Sequence, residues 1–273
     1  MTELKGKNQI RRFKQVAEKL VKRISPLEGV AGIVYIGGLT RGFADKYSDV
    51  DIIVFLGKKD EELKERIRKI GPEEERQSGL DIDLEIHCLA DFKKWKLDEI
   101  DIWDFSKAEI VFDPHGETGT LLKTKLHVPK NFWLKKLAAY AEYIKWYCCP
   151  PKEDIGTIAE MWVERGDLLS AHYCINYAID LALGILYALN DEFMPAQKWR
   201  LYYSYKLRWL PADYKKLMEE AATVKSLSMQ DLSRRIKALR KLWNEIVPKV
   251  EKQTRLTMDA LHEYYVKTEL HQT

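Results

Sequence analysis

The sequence predicts an α+β protein in which a small mixed-sheet domain, residues 1–128, precedes an all-α helical bundle domain, residues 129–273. Short apolar or alternating runs bounded by turn residues, which are typical of strands, occur only before Pro129. After Pro129 the apolar residues recur at helical spacing, and prolines separate the segments. With 273 residues, 46% of them apolar, the chain is long enough to bury a core in each domain.

Four segments of the first domain fit strands: residues 30–36, 49–56, 80–89 and 108–112. The third segment alternates between aliphatic and polar residues, so its two faces differ. Its aliphatic face carries Leu80, Ile82, Leu84 and Ile86, and its polar face carries Asp81, Asp83, Glu85 and His87. A strand with one acidic face predicts that this face meets solvent or a cation, because burying several carboxylates against a core is prohibitively costly.

The remaining periodic segments fit helices: residues 3–25, 59–70, 130–149, 155–190, 195–208, 211–222 and a closing helix pair over 228–270. Pro26 is expected to end the first helix, and Gly71 with Pro72 the second.

Composition narrows the class of protein. A net charge of +3 lacks the dense positive field of a dedicated nucleic-acid-binding protein, which disfavours a nucleic-acid partner. The four cysteines show no metal-ligand spacing and fit reduced thiols of a cytoplasmic protein. The N-terminus has no apolar signal-peptide core, and no run of about 18 apolar residues predicts a membrane span. We therefore expect a cytoplasmic location and no membrane partner.

The chemistry is concentrated in one stretch near the N-terminus. A buried strand ends in Gly37 and Gly38, and a loop then leads to Asp49 and Asp51. Glycines allow backbone N–H groups to approach a phosphate closely. Alternate strand residues share a face, so Asp49 and Asp51 point the same way, about 7 Å apart. Two carboxylates held so close predict a divalent cation between them, with Mg²⁺ the expected ion.

A third carboxylate is expected from the acidic face of residues 80–89, where Asp83 and Glu85 are the candidates. Three carboxylates from two strands are what a two-metal phosphoryl-transfer site requires. One ion would neutralise the triphosphate, and the other would lower the pKa of the attacking hydroxyl.

This pattern resembles the DNA-polymerase-β-type nucleotidyltransferase superfamily. Within it, the chain is similar to the minimal nucleotidyltransferases and to the antibiotic (aminoglycoside and lincosamide) nucleotidyltransferases with a helical C-terminal domain. The spacing from Gly37 to Asp49 agrees with the family pattern, and Arg41, Gly42 and Ser48 fall in register. One departure is Gly38, where the family often has a serine whose hydroxyl binds phosphate.

The resemblance implies an enzyme that moves a nucleoside monophosphate from an NTP, with ATP expected, onto an acceptor hydroxyl and releases pyrophosphate. It implies a metal site of Asp49, Asp51 and Glu85, with Asp83 as the alternative third acid, and a catalytic role for all four. The third acid can also act as general base in the antibiotic-modifying members. Gly37, Gly38, Arg41, Ser48 and Lys198 are the residues implied to bind the nucleotide.

The same resemblance implies that the helical domain shapes the acceptor cleft and that the acceptor is a small, aminoglycoside-like molecule. Two other functions stay open at this point. One is nucleotidylation of a protein, as in AMP-transferring antitoxin relatives, or of an RNA end. The other is a catalytically silent nucleotide-binding module, which the complete set of acids disfavours.

Overall fold

A computed structural model describes residues 4–151 and 156–270. The chain consists of two compact units, Met1–His127 and Val128–Thr273. The first unit contains the sheet, and in the described ranges the second unit is entirely helical. This arrangement confirms the predicted α+β class.

The sheet of the first unit has four strands: β1 Val30–Tyr35, β2 Val50–Leu56, β3 Ile82–Cys88 and β4 Glu109–Phe112. Their order across the sheet is β3-β2-β1-β4. Strand β1 pairs antiparallel with β2 and β4, whereas β2 and β3 are parallel, so the predicted mixed sheet is confirmed. All four strands fall within the segments that the sequence predicted.

Helices cover both faces of this sheet. They are α1 Ile10–Ile24, α2 Gly37–Arg41, α3 Glu61–Ser78, α4 Leu89–Lys94, α5 Glu99–Ser106 and α6 Glu117–Lys125. The apolar sides of α1 and α3 pack on one face, together with alternate residues of β2 such as Ile52 and Val54. Phe92, Phe105 and Leu122 of α4, α5 and α6 pack on the other face. Helices α2, α4, α5 and α6 were not predicted from the sequence, because they are short and lack a clear apolar period.

Helix α3 differs most from its prediction, because it continues through Gly71 and Pro72 to Ser78. A proline inside a helix loses one backbone hydrogen bond and commonly ends the helix. Here the residues beyond it have tertiary partners: Glu74 is buried and lies 3.6 Å from the Lys19 ammonium of α1. Packing against α1 therefore offsets the local cost of Pro72. Helix α1 itself begins at Ile10, and residues 4–9 are not helical; the predicted start at residue 3 lies outside the described residues.

The second unit consists of seven helices in its described residues: α7 Phe132–Tyr147, α8 Ile158–Glu164, α9 Leu168–Leu189, α10 Gln197–Ser204, α11 Tyr214–Ala222, α12 Met229–Thr254 and α13 Met258–Leu270. The helix predicted over 155–190 is two helices, and residue 155 lies outside the described residues. The break occurs because Gly166 adopts φ +80° and the Asp167 side chain caps α9 by accepting the Ser170 N–H at 3.0 Å.

Helix α9 is the central element of this unit and contacts five of its other helices. By length and composition alone it could cross a membrane, although His172, Asn176 and Asp180 interrupt its apolar residues. Within the protein, 61% of its most apolar window is buried. That burial is typical of a core helix, so α9 provides the apolar centre of the bundle.

Candidate functional site

The glycine pair lies directly against the second aspartate of the motif. Gly37 and Gly38 begin α2, a short helix where a loop was expected. Gly37 has φ +60°, and a Cβ atom there would lie 1.8 Å from the Asp51 carboxylate oxygen Oδ2. The Gly38 N–H donates to the same oxygen over 3.3 Å. Position 37 therefore requires glycine for its backbone conformation and for its close approach to Asp51.

Three carboxylates converge beside this turn. Asp49 precedes β2, Asp51 lies within it, and the parallel register places Asp83 of β3 directly opposite Asp51. One carboxylate oxygen from each of the three lies within 4.8 Å of the others. Hard divalent cations prefer such oxygen ligands, and a set of this size and charge fits Mg²⁺. The residues present therefore match the metal that the sequence pattern implies.

The electrostatics of the cluster favour a cation. Burial, together with the neighbouring charge of Asp49, raises the pKa of Asp51 to about 7. The Gly38 N–H and the charge of Arg41 oppose this rise without cancelling it. Burial and the charges of Glu85 and Asp49 also raise the pKa of Asp83. A bound cation would relieve this repulsion and keep the carboxylates ionised.

Glu85 lies two residues further along β3 than Asp83, opposite Ile53 and not opposite an acid. It is outside the group of three carboxylates, and its Oε2 lies 2.8 Å from the His87 ring nitrogen Nε2. This hydrogen bond lowers the pKa of Glu85. From the sequence, Glu85 was preferred to Asp83 as the third ligand, whereas the strand register places Asp83 beside Asp51.

His87, which shares the acidic face of β3, is held by aromatic contacts. Its ring centroid lies 5.3 Å from that of Trp95 and 5.9 Å from that of Phe92. The side chain is 26% exposed, so it is partly shielded from water. These contacts fix the ring that holds Glu85.

Arg41, expected to contact phosphate, forms an ion pair within the protein. Its guanidinium lies 2.9 Å from the Asp104 carboxylate and 5.4 Å from the centre of the Trp103 ring. Both partners belong to α5, to which the sequence analysis assigned no role. The sequence signal that could have revealed α5 is its capping box. Asp98 and Asp101 each accept the backbone N–H of the other at the start of the helix.

Ser48, the other residue in register with the family pattern, closes the turn before β2. Its hydroxyl accepts the Asp45 N–H at 3.0 Å. Lys198 belongs to the second unit, where it is exposed in the first turn of α10. Nucleotide contacts by Ser48 and Lys198 stay predictions.

Comparisons with known proteins agree with this geometry. Residues 14–112 match the family model of the nucleotidyltransferase domain, and residues 95–200 match a domain of unknown function (DUF4037). No curated protein sequence matches the chain significantly. A solved nucleotidyltransferase-like protein from Exiguobacterium sibiricum 255-15 shares 13% identity over 88% of this chain and 77% of its own, with a TM-score of 0.43. The family assignment therefore rests on the sequence match of residues 14–112 and not on this structural similarity.

The family match contains β1, α2, β2, β3 and β4, and with them the glycine pair and all four acidic candidates. The general reaction of such a domain is transfer of a nucleoside monophosphate from a nucleoside triphosphate. Residues 14–112 thus form a nucleotidyltransferase domain of the DNA-polymerase-β-type superfamily, and the protein is a nucleotidyltransferase.

Proposed function

We propose that this protein is a Mg²⁺-dependent enzyme that transfers a nucleoside monophosphate from an NTP, with ATP expected, to a hydroxyl of a small-molecule acceptor and releases pyrophosphate. The observation that carries the proposal is the convergence of Asp49, Asp51 and Asp83, whose oxygens lie within 4.8 Å of one another. The four cysteines are free thiols, which supports a cytoplasmic setting.

In this proposal Asp49, Asp51 and Asp83 hold the divalent metal. When bound, Mg²⁺ supplies charge neutralisation at the triphosphate and lowers the pKa of the acceptor hydroxyl. The protein contributes the fixed positions of the carboxylates, because two of them are set by the paired strands β2 and β3. Since Asp51 is held by burial and by the Gly38 N–H, little reorganisation is needed when the ion arrives.

The nucleotide phosphates would approach the start of α2. Gly37 and Gly38 present no side chain there, although both are buried and the Gly38 N–H is donated to Asp51. Arg41 and Ser48 flank the same turn, and Arg41 would offer charge to a phosphate while Asp104 orients its guanidinium. We assign Lys198 of the helical unit a contact with the nucleotide and the unit itself a part in binding the acceptor, both from the family resemblance.

The proton of the acceptor hydroxyl needs a base. We assign this role to Glu85, because the structure supports Asp83 as the third metal ligand and leaves Glu85 outside that group. The His87 hydrogen bond lowers the pKa of Glu85, which keeps the carboxylate ionised but makes it a weaker base. The ionised carboxylate could accept a proton from a hydroxyl whose own pKa a bound metal would lower. His87 acts as a positioning residue through its 2.8 Å contact with Glu85.

The metal assignment is tested by calorimetry of Mg·ATP binding. We expect Asp51→Ala to abolish the Mg²⁺-dependent part of the binding, because the substitution removes the most buried carboxylate of the cluster. Glu109→Gln is the matched control, since Glu109 is an exposed acid of β4 in the same sheet and pairs with Lys14. Equal Mg·ATP affinity of Asp51→Ala and the parent would contradict the proposed metal site.

The transfer reaction is tested by incubating the parent with each NTP, Mg²⁺ and a panel of amino-sugar, protein and RNA acceptors, with mass analysis of the products. Glu85→Gln should retain NTP binding and lower the turnover number about 10²–10⁴-fold, the usual contribution of a general base. Asp83→Asn should instead weaken Mg·NTP binding. NTP binding without transfer to any acceptor would favour a silent nucleotide-binding module.

A further inference from the structure

The second unit contains an open cavity of about 730 Å³, and all of its lining residues belong to that unit. It is formed by α11, by α12 and by the segment between them, residues 223–228. A volume of this size lies within the range of small-molecule binding pockets.

The cavity lining is strongly positive. Five of its residues are lysine or arginine and two are acidic, a net charge of +3, which equals the net charge of the whole chain. Arg234 and Asp231 neutralise each other in an ion pair of 2.7 Å, and Lys241 lies 3.6 Å from Asp213.

The three other lysines of the lining are Lys216, Lys225 and Lys237. They come from three different segments, and none forms an ion pair in the part of the chain that the structure describes. Glu220 is the one acid of the lining that no lysine or arginine neutralises among these residues. Three lysines and one carboxylate of the lining are therefore not neutralised by ion pairs, which leaves a net charge of +2 for a ligand.

The wall that carries Lys225 is fixed in place. The buried carboxylate of Asp231 accepts the backbone N–H groups of Lys225, at 2.8 Å, and of Ser226, at 3.4 Å. The Arg234 guanidinium donates to the backbone carbonyls of Glu220 and Thr223 at the end of α11. These contacts hold the connecting segment in one conformation, so a ligand would meet a preformed surface.

A buried cation adds to the positive potential on this side of the bundle. Arg235 follows Arg234 on α12, and its side chain is 0% exposed. Its guanidinium donates to the Ala221 carbonyl at 2.7 Å and to the His172 carbonyl at 3.1 Å, both neutral acceptors. Among the described residues no carboxylate forms an ion pair with Arg235, and the charge of the nearby Asp231 offsets part of its own. A buried charge in a low-dielectric interior acts more strongly on a nearby anion than an exposed charge does.

We propose that this cavity binds a small ligand carrying two or more phosphate groups, with Lys216, Lys225 and Lys237 contacting the phosphates. Three separated cations suit a polyphosphate better than a single carboxylate, because each ammonium can donate to a different oxygen. Ser226, Ser228 and Ser233 also line the cavity and provide hydroxyl donors for the same oxygens. This site does not depend on the metal cluster of the first unit.

The test is calorimetric titration of the full chain with inorganic tripolyphosphate in EDTA, which removes any contribution of the metal-dependent site. The parent should bind, and the affinity should fall steeply as salt is raised. The double variant K225Q/K237Q should bind at least about tenfold more weakly, the scale of losing one charge-assisted hydrogen bond. Lys252→Gln, which removes an exposed lysine from the last turn of the same helix, should bind like the parent.

Two further results distinguish the outcomes. Asp51→Ala should bind tripolyphosphate in EDTA as the parent does, and a loss there would assign the binding to the first unit and overturn the proposal. No binding by the parent, or parental affinity in a folded K225Q/K237Q variant, would also overturn it. Tighter binding of a single-stranded RNA oligonucleotide through the same lysines would replace the small ligand with a nucleic acid.

Discussion

Asp51 in the sheet unit and Arg235 in the helical unit both bring a charge into the protein interior, and their surroundings differ in kind. Arg235 has neutral acceptors arranged around its guanidinium, including the Ala221 and His172 carbonyls. Asp51 receives one N–H, from Gly38 at 3.3 Å, and faces two other acids. Arg235 is satisfied by its own unit, whereas Asp51 is left with repulsive neighbours.

This difference distinguishes a structural charge from a binding site. A buried group whose hydrogen bonds are complete stabilises the native packing, and its loss is costly. A group placed among like charges destabilises the protein until a ligand of opposite charge arrives, and such perturbed groups concentrate at functional sites. Neutralising Arg235 is therefore expected to lower the free energy of unfolding, whereas neutralising Asp51 without metal is expected to raise it.

The largest effect is expected at Arg235. Arg235→Met keeps most of the side-chain volume and leaves the Ala221 carbonyl and the His172 ring nitrogen Nδ1 without their donor. Each unsatisfied buried acceptor costs about 1–3 kcal/mol, so we expect the free energy of unfolding to fall by about 2–4 kcal/mol. Denaturant unfolding measures the change, with Lys252→Met as the exposed control. A variant as stable as the parent would show that Arg235 is not a structural residue.

The next effect concerns the two glycines beside Asp51. Gly37→Ala places a Cβ 1.8 Å from the Asp51 oxygen in a left-handed backbone, whereas the closest atom to a Cβ at Gly38 is the Phe43 carbonyl oxygen at 3.2 Å. We expect Gly37→Ala to lower stability by about 2 kcal/mol and to displace Asp51, which would weaken Mg·ATP binding. Gly38→Ala should cost less than about 1 kcal/mol. Thermal unfolding and calorimetry test both, and equal losses would contradict a special role for Gly37.

Neutralising Asp51 should change stability in the opposite direction to neutralising Arg235. Asp51→Asn removes the repulsion with Asp49 and Asp83, so without metal at pH 7 we expect a gain of about 1–2 kcal/mol. Adding Mg²⁺ should stabilise the parent and leave the variant nearly unchanged. Glu109→Gln serves as the control for loss of one acid from the sheet. A destabilised Asp51→Asn variant in metal-free buffer would break the comparison.

The smallest measurable effect is the pH dependence of the stability that Asp51→Asn gains in metal-free buffer. The pKa of Asp51 is about 7 in the folded protein and about 4 in an unfolded chain. Between these values the folded state binds more protons, so this group makes the metal-free protein less stable as pH rises from about 4 to about 7. Denaturant unfolding of the parent and Asp51→Asn should give converging stabilities near pH 4. A constant difference from pH 4 to pH 7 would assign the stability change to another cause.

Much of the candidate site was predictable because its signals are local. The spacing from Gly37 to Asp49 and the alternation of β3 both lie within short stretches of chain, where strand geometry fixes which residues share a face. The helices of the second unit were also visible from their apolar period, although its break at Gly166 was not. Such local sequence patterns were sufficient to predict nucleotidyl transfer and the α+β fold class.

The sequence by itself determined which residue types line the site and that the site belongs to a nucleotidyltransferase domain. The tertiary structure decided which acid joins the pair, because the register of β2 on β3 places Asp83 opposite Asp51 and Glu85 opposite Ile53. It also decided that α3 continues through Pro72, where packing of Glu74 against α1 outweighs the local preference. Register and helix packing depend on residues far apart in the chain, so no local pattern specifies them.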